Sequence, residues 1–177
     1  MKLTNIASVL TSALAAAILA LPAAAQDSSN RVNTETDWSV FVEDNPTQCW
    51  IVSAPKSIRN TRDGQEVAAR RGDIRLFVSY WPGSDKKGEV SATGGYPYAD
   101  GSTVTIQIGS DAFEMFTDGE LAWAASPTDD ERIITAMKRG AQAVVVGRSG
   151  RGTRTEDTFS LLGFTAAVAD AENRCGS

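Results

Sequence analysis

Residues that could carry out chemistry are scarce in this chain of 177 residues. It contains no histidine, the side chain used most often as a general base and as a metal ligand. The two cysteines, Cys49 and Cys175, are expected to be oxidised, so neither would act as a nucleophile. A serine–lysine arrangement stays open, but no motif marks one. We therefore predict no catalytic residue and no cofactor.

An arginine-rich loop is the strongest candidate for a binding site. Three arginines and two glycines lie close together in it: Arg148, Gly150, Arg151, Gly152 and Arg154. Guanidinium groups bind carboxylate or phosphate through paired hydrogen bonds, and glycines allow backbone N–H groups to converge on an anion. This pattern predicts a loop that binds an anion or an acidic partner. The alternative is a solvated hairpin whose arginines pair with nearby Glu156 and Asp157.

The acidic runs favour structural roles. Asp129–Glu131 is the densest run, and its position suits the first turn of a helix, where carboxylates interact with the helix dipole. Asp118–Glu120 lacks the repeated spacing of a calcium-binding loop. We predict no metal site. The tripeptide Arg71–Asp73 matches the cell-adhesion sequence Arg-Gly-Asp, but we interpret its glycine as a turn leading into the next strand.

The first 25 residues have the three parts of a secretory signal peptide. Lys2 supplies the positive charge, Ile6–Leu21 is largely apolar, and Ala23–Ala25 forms an A-x-A cleavage site. The uninterrupted apolar part is too short for a membrane-spanning helix. We predict cleavage between Ala25 and Gln26, followed by export to the periplasm.

The charge balance excludes some partners. The formal net charge is −5, and it becomes −6 when the leader is removed, because Lys2 is the only charged residue there. An acidic protein is a poor general ligand for nucleic acid. No later segment is long and apolar enough to cross a bilayer, so we expect no stable membrane insertion after cleavage.

The rest of the chain predicts a flexible N-terminal tail over 26–36 and a single domain over 37–177. Apolar residues alternate along many short segments separated by turn signals, which is typical of a β-sandwich or barrel. Strands are predicted over 37–43, 48–53, 74–81, 88–93, 103–108, 113–117, 121–123, 143–146 and 152–160. We expect the last strand, which is polar, at an edge of the sheet. Asp63–Gly64 is a hairpin turn signal.

Two helices complete the prediction. Ser126 can cap the first helix, Pro127 suits its first position, and Gly140 ends it. The second helix is expected over 162–174, with Cys175 in line with its apolar face. An even number of cysteines in an exported chain favours a disulfide, so we predict Cys49–Cys175; two free buried thiols are the alternative. The fold class is therefore mainly β: an antiparallel sandwich or barrel-like domain with one short inserted helix and a C-terminal helix, closed by one disulfide.

The order of these features is similar to a known family. A signal peptide is followed by Asp37–Val40, Cys49–Val52, an alternating central region, a short helix ending in Ala136–Gly140, and Phe159–Ala167 before the final cysteine. Over nearly all of residues 37–175 the chain resembles the invasion associated locus B family of exported proteins, in its short rhodobacterial form. The resemblance implies a β-sandwich-like fold, a periplasmic or envelope location and a link to host-cell invasion. It supplies no catalytic residue.

Taken together, these features favour a non-enzymatic binding or protein-interaction module of the cell envelope. Its partner would be an envelope protein or a small ligand whose identity the sequence does not reveal. One alternative is a small histidine-free hydrolase or carbohydrate-active domain, which needs two carboxylates converging in a pocket. Another is a purely structural envelope protein without a ligand.

Overall fold

The computed structural model describes residues 30–45, 47–84 and 88–175. The predicted signal peptide, its cleavage site at Ala25–Gln26 and residues 26–29 of the predicted tail lie outside the described residues.

The described residues form one antiparallel sheet of twelve strands and two helices that pack against it. The strands are β1 (Arg31–Glu35), β2 (Trp38–Asp44), β3 (Thr47–Ser53), β4 (Ser57–Arg62), β5 (Gln65–Glu66), β6 (Arg75–Tyr80), β7 (Glu89–Thr93), β8 (Thr103–Ile108), β9 (Asp111–Asp118), β10 (Leu121–Ala124), β11 (Gln142–Arg148) and β12 (Arg154–Ser160). The helices are α1 (Pro127–Arg139) and α2 (Phe164–Cys175). Neighbouring strands follow the order β1-β2-β3-β6-β7-β10-β9-β8-β11-β12-β4-β5.

The sheet curls so that strands far apart in this order meet. The Trp38 indole Nε1, at the start of β2, donates a hydrogen bond to the carbonyl oxygen of Ser160 at the end of β12, at 3.0 Å. The backbone N–H of Asp37 donates to the Leu162 carbonyl at 3.3 Å. The curled sheet therefore has an inner face, which encloses the core, and an outer face, which looks towards solvent. The predicted fold class is confirmed.

The inner face is formed by the apolar side chains that alternate along the strands, as the period of two requires. These residues are all buried: Val40, Ile51, Leu76, Val78, Val90, Val104, Ile106, Ile108, Met115 and Ala122. Both helices pack against this face. The ring of Phe164 in α2 meets Trp38 at a centroid distance of 4.9 Å, nearly edge to face. Burial of large aromatic groups in such contacts is a main source of stability in a core.

Local sequence signals account for several elements. The Ser126 hydroxyl accepts a hydrogen bond from the backbone N–H of Asp129 at 3.2 Å, which caps α1 as predicted. Asp63 and Gly64 have φ of 50° and 78°, and they join β4 to β5 as the predicted hairpin turn. The predicted disulfide is present: Cys49 of β3 and Cys175 of α2 are joined, with their Cα atoms 5.8 Å apart.

Two predictions about individual segments are wrong. Residues 31–35 of the predicted flexible tail form β1, which pairs with β2 at the edge of the sheet. β12 is not an edge strand, because β11 pairs with one side of it and β4 with the other. Its polar residues Thr155 and Asp157 face the inside, where Tyr96 and Arg71 satisfy them.

Candidate functional site

The predicted arginine-rich loop is a hairpin that joins β11 to β12. Arg148 and Arg154 lie directly opposite each other in the ladder, and Arg151 lies at the tip. All three side chains are exposed. Like charges directly opposite on neighbouring strands destabilise a sheet. The structure therefore places the three predicted arginines on one hairpin, where a bound anion would reduce the repulsion between their charges.

The backbone of the turn does not form an anion cradle. The N–H of Gly150 donates to the Pro97 carbonyl at 3.1 Å, and the N–H of Gly152 donates to the Ser149 carbonyl at 2.8 Å. The Ser149 hydroxyl accepts from the N–H of Thr153 at 3.2 Å. These N–H groups are engaged within the fold, so any attraction for an anion comes from the arginine side chains. The same bonds hold the hairpin in place.

The neighbouring strand β4 adds two arginines that sequence analysis missed. Arg59 lies opposite Glu156 in the ladder, and Arg62 donates from Nη2 to the Thr153 hydroxyl at 2.8 Å. We call the group formed by Arg59, Arg62, Arg148, Arg151 and Arg154 the basic corner. The two extra arginines are separated from the hairpin by about ninety positions in sequence, so only the pairing of β12 with β4 reveals them.

Glu156 is the carboxylate that organises one side of the basic corner. It pairs with Arg154, and its Oε2 accepts from Arg59 Nη1 at 2.8 Å. Hydrogen bonds from Arg154 and then Arg59 lower the pKa of Glu156. Arg59 also contacts Glu66, at 3.2 Å. The alternative of internally paired arginines thus holds for Arg154. The side chains of Arg148 and Arg151 form neither an ion pair nor a hydrogen bond with the described residues.

Asp157, the other expected partner, pairs elsewhere. Its two carboxylate oxygens accept from Arg71 at 2.6 and 2.5 Å, and both side chains are almost fully buried. Burial raises the pKa of Asp157, and the hydrogen bonds from Arg71 oppose that rise. Arg71 also lies over the Tyr96 ring, with 5.1 Å from Cζ to the ring centroid. Because its side chain is 4% exposed, Arg71 is not available for adhesion through an Arg-Gly-Asp sequence.

The surface depressions are open, and carboxylates border two of them. One depression of about 540 Å³ lies between β9 and α1 and includes Asp111 and Glu131. Another of about 440 Å³ lies beside Trp123 and includes Glu89 and Asp118. Asp130 also borders the second depression, but its Oδ1 accepts the backbone N–H of Val90 at 2.7 Å and thereby links α1 to β7. Among residues 30–45, 47–84 and 88–175, no cluster of three or more potential metal ligands is found.

Comparisons with known proteins agree on one family. The model of the family described as "Invasion associated locus B (IalB) protein" matches residues 38–172. Among solved structures, the crystal structure of invasion associated protein B from Bartonella henselae is similar, with a TM-score of 0.54 and 14% sequence identity. The alignment covers 80% of this chain and 95% of that protein. None of the curated proteins compared with this sequence gives a match.

Proposed function

The chain belongs to the invasion associated locus B family, and from that premise we propose that it is an exported, non-enzymatic binding protein of the cell envelope. One observation carries the proposal: the exposed Arg148 and Arg151 of the basic corner form no ion pair with another described residue. The chain as a whole has a net charge of −5. A local cationic surface on an acidic protein favours an acidic partner, because complementary charge steers association and selects among partners.

The location in the envelope is supported by the form of the leader sequence. Cell fractionation followed by mass spectrometry tests it. We expect the protein in the periplasm or associated with the envelope, with a mature N-terminus at Gln26 and a mass two hydrogens below that of the reduced chain. A full-length chain retained in the cytoplasm would contradict the proposal. In the described residues, no helix has the length and apolar character needed to cross a membrane.

The proposed binding surface is tested by crosslinking in intact cells. We compare the unmodified protein with the double variant Arg148→Gln/Arg151→Gln. If the partner is acidic, the double variant should recover it roughly 2- to 30-fold less well, since an exposed ion pair contributes about 0.2–1 kcal/mol. The interaction of the unmodified protein should also weaken as salt is raised.

Arg139→Gln is the matched control for the basic corner. Arg139 is exposed at the end of α1, near the start of β11, whereas Arg148 is at the other end of that strand. A strand of this length places the two sites about 20 Å apart. The control should capture the partner as well as the unmodified protein does. Equal loss in both variants, or no loss in the double variant, would mean that the basic corner is only a hairpin turn.

A further inference from the structure

Five aromatic residues within β2, β3, β6, β9 and β10 lie on the outer face of the sheet, where the core does not use them: Phe41, Trp50, Phe77, Phe116 and Trp123. We call these five residues the aromatic band. Phe41 and Trp50 are stacked with centroids 5.4 Å apart and planes 2° apart. Phe116 and Trp123 are stacked at 5.5 Å and 27°. The row therefore has a pair of nearly parallel rings at each of its two ends.

The strand register aligns the band across the sheet. Phe77 lies opposite Ser91, Ser91 lies opposite Trp123, and Trp123 lies opposite Phe116. Trp50 lies opposite Ser79, two residues from Phe77 along β6. Three steps between neighbouring strands separate Trp50 from Trp123, a span of about 14 Å. The band is therefore long and narrow, and it runs across the strands.

The aromatic band is open to solvent in the described part of the chain. Phe116 is 50% exposed, and the other four rings are partly exposed. The first turn of α1 borders the band, since Pro127 and Asp130 line the same open depression as Phe116 and Trp123. A row of partly exposed rings on central strands marks a surface for binding.

Polar groups alternate with the rings. Ser79 and Ser91 lie in the same rows as the aromatic residues, and Glu89 lies beside Ser79 on the neighbouring strand. The face of an aromatic ring carries partial negative charge and attracts C–H groups with partial positive charge. A sugar ring presents such C–H groups on its faces and hydroxyl groups at its rim. Stacking on the band would therefore leave the sugar hydroxyls next to serine and carboxylate groups.

The charges around the band disfavour an anionic occupant. On the outer face of the strands from β1 to β8 in the sheet order, the described residues include four carboxylates, Glu43, Glu89, Glu114 and Asp118, and two arginines, Arg31 and Arg75. An anionic lipid surface or a nucleic acid would need an excess of cations here. An extended, uncharged chain of sugars needs none, and its shape matches a long and narrow row of rings.

We propose that the aromatic band is a platform for an uncharged, extended glycan chain whose rings stack on the two aromatic pairs. The band shares no residue with the basic corner, and the proposal does not depend on the proposed acidic partner. A chain that reaches from one pair to the other binds more tightly than a short one, because both pairs contribute.

The test is a titration of the mature protein, monitored by tryptophan fluorescence and by calorimetry. The probes are cellohexaose and chitohexaose, with cellobiose as the short comparison. We expect saturable binding of at least one hexasaccharide, at least tenfold tighter than binding of cellobiose. Phe116→Ser, which alters an exposed ring, should weaken this binding about tenfold, a change of about 1.4 kcal/mol. Phe41→Ser tests the other end of the band in the same way, and melting temperatures verify that both variants fold.

Two control variants show whether glycan binding is specific to the aromatic band. Leu162→Ala removes an exposed apolar side chain, 63% accessible, outside the band and should leave glycan binding unchanged. The double variant Arg148→Gln/Arg151→Gln should also bind the hexasaccharide normally, so failure at one surface is distinguishable from failure at the other.

Several outcomes would overturn the proposal. One is the absence of saturable binding to either hexasaccharide. Another is binding by the folded Phe116→Ser and Phe41→Ser variants that equals binding by the unmodified protein. A third is adsorption of the unmodified protein to phosphatidylcholine vesicles through the band, and a fourth is a dimer in solution that Phe116→Ser converts to a monomer. The last two would assign the band to a lipid surface or to a second copy of the chain.

Discussion

Cutting the disulfide between Cys49 and Cys175 tests how the domain is closed. The two cysteines are separated by 126 positions, so the bond removes much of the freedom of the unfolded chain. The chain-entropy relation for a loop of this length gives about 16 cal/mol/K, or about 5 kcal/mol at 25 °C. Removal of a native disulfide from a small exported domain costs about 2–5 kcal/mol, so we expect a loss of about 3–5 kcal/mol for Cys49→Ala/Cys175→Ala. That is a large part of the stability of an ordinary domain.

The folded state should survive this change. α2 has four more buried side chains along the face that packs on the sheet: Phe164, Ala167, Val168 and Ala171. The bond is at the last residue of the helix, so its loss leaves these contacts in place. The perturbation therefore acts mainly on the unfolded chain.

Urea unfolding measures the effect. For a slope of about 2 kcal/mol/M, a loss of about 4 kcal/mol lowers the unfolding midpoint by about 2 M. The slope itself should increase, because the uncrosslinked unfolded chain exposes more surface. Dithiothreitol should shift the unmodified protein to the midpoint of the double variant and leave the variant unchanged.

Two results would refute the reasoning. An unchanged midpoint would mean that the bond adds no stability. A loss of helical signal before unfolding, with fast hydrogen exchange throughout α2, would mean that the disulfide holds the helix in place and that the buried contacts do not suffice.

Three further predictions concern a buried ion pair, a strained glycine and a partly exposed carboxylate. Asp157→Asn leaves the Arg71 guanidinium buried without a counter-charge and should lower the free energy of unfolding by about 3–5 kcal/mol in urea experiments; an unchanged midpoint would contradict this. Gly163 has φ of 87°, and a Cβ there would overlap the carbonyl oxygen of Glu35. Gly163→Ala should therefore lower the free energy of unfolding by more than about 1–2 kcal/mol and speed hydrogen exchange in β1. Unchanged exchange in β1 would show that the close approach of Gly163 to Glu35 is dispensable. Hydrogen bonds from two arginines lower the pKa of Glu156 below its unfolded value, so its contribution to stability is present above the unfolded pKa and is lost as pH falls through the folded pKa. Glu156→Gln should therefore flatten the decline of stability in acid, and an identical pH profile would contradict the prediction.

Much of the fold is predictable where local signals and burial agree. α1 begins and ends as its capping residues indicate, with Ser126 before it and Gly140 after it. Val104, Ile106 and Ile108 are buried as their alternation predicts. In α2 the spacing that placed Cys175 on the buried face is also confirmed. In each case neighbouring residues in sequence carry the information.

The errors arise where stabilisation comes from distant residues. β1 has almost no apolar alternation, and it is held through backbone pairing with β2 and by a hydrogen bond from Asn33 Nδ2 to Asp170 Oδ2 at 2.9 Å. β12 contains buried polar residues whose partners are remote in sequence: Arg71 for Asp157, and Tyr96, whose hydroxyl is 2.6 Å from the Thr155 hydroxyl. No local pattern of apolar residues reveals such pairs.

The candidate sites show the same division. The arginines of the β11–β12 hairpin are close in sequence and can be found from it, whereas Arg59 and Arg62 require knowledge of strand pairing. The aromatic band could not be found from sequence either. Its rings are spread over five strands, and they form a row only when the register of those strands is known.

The disulfide also has a consequence for the timing of biosynthesis. At about 5–20 residues per second, Cys175 follows Cys49 out of the ribosome by about 6–25 s, given the 126 positions between them. Throughout that interval Cys49 is a thiol without its partner, and β3 lacks the helix that covers it. The disulfide therefore closes the domain only after the last helix is made, and until then β3 exposes to its surroundings both a free thiol and the apolar face that α2 later covers.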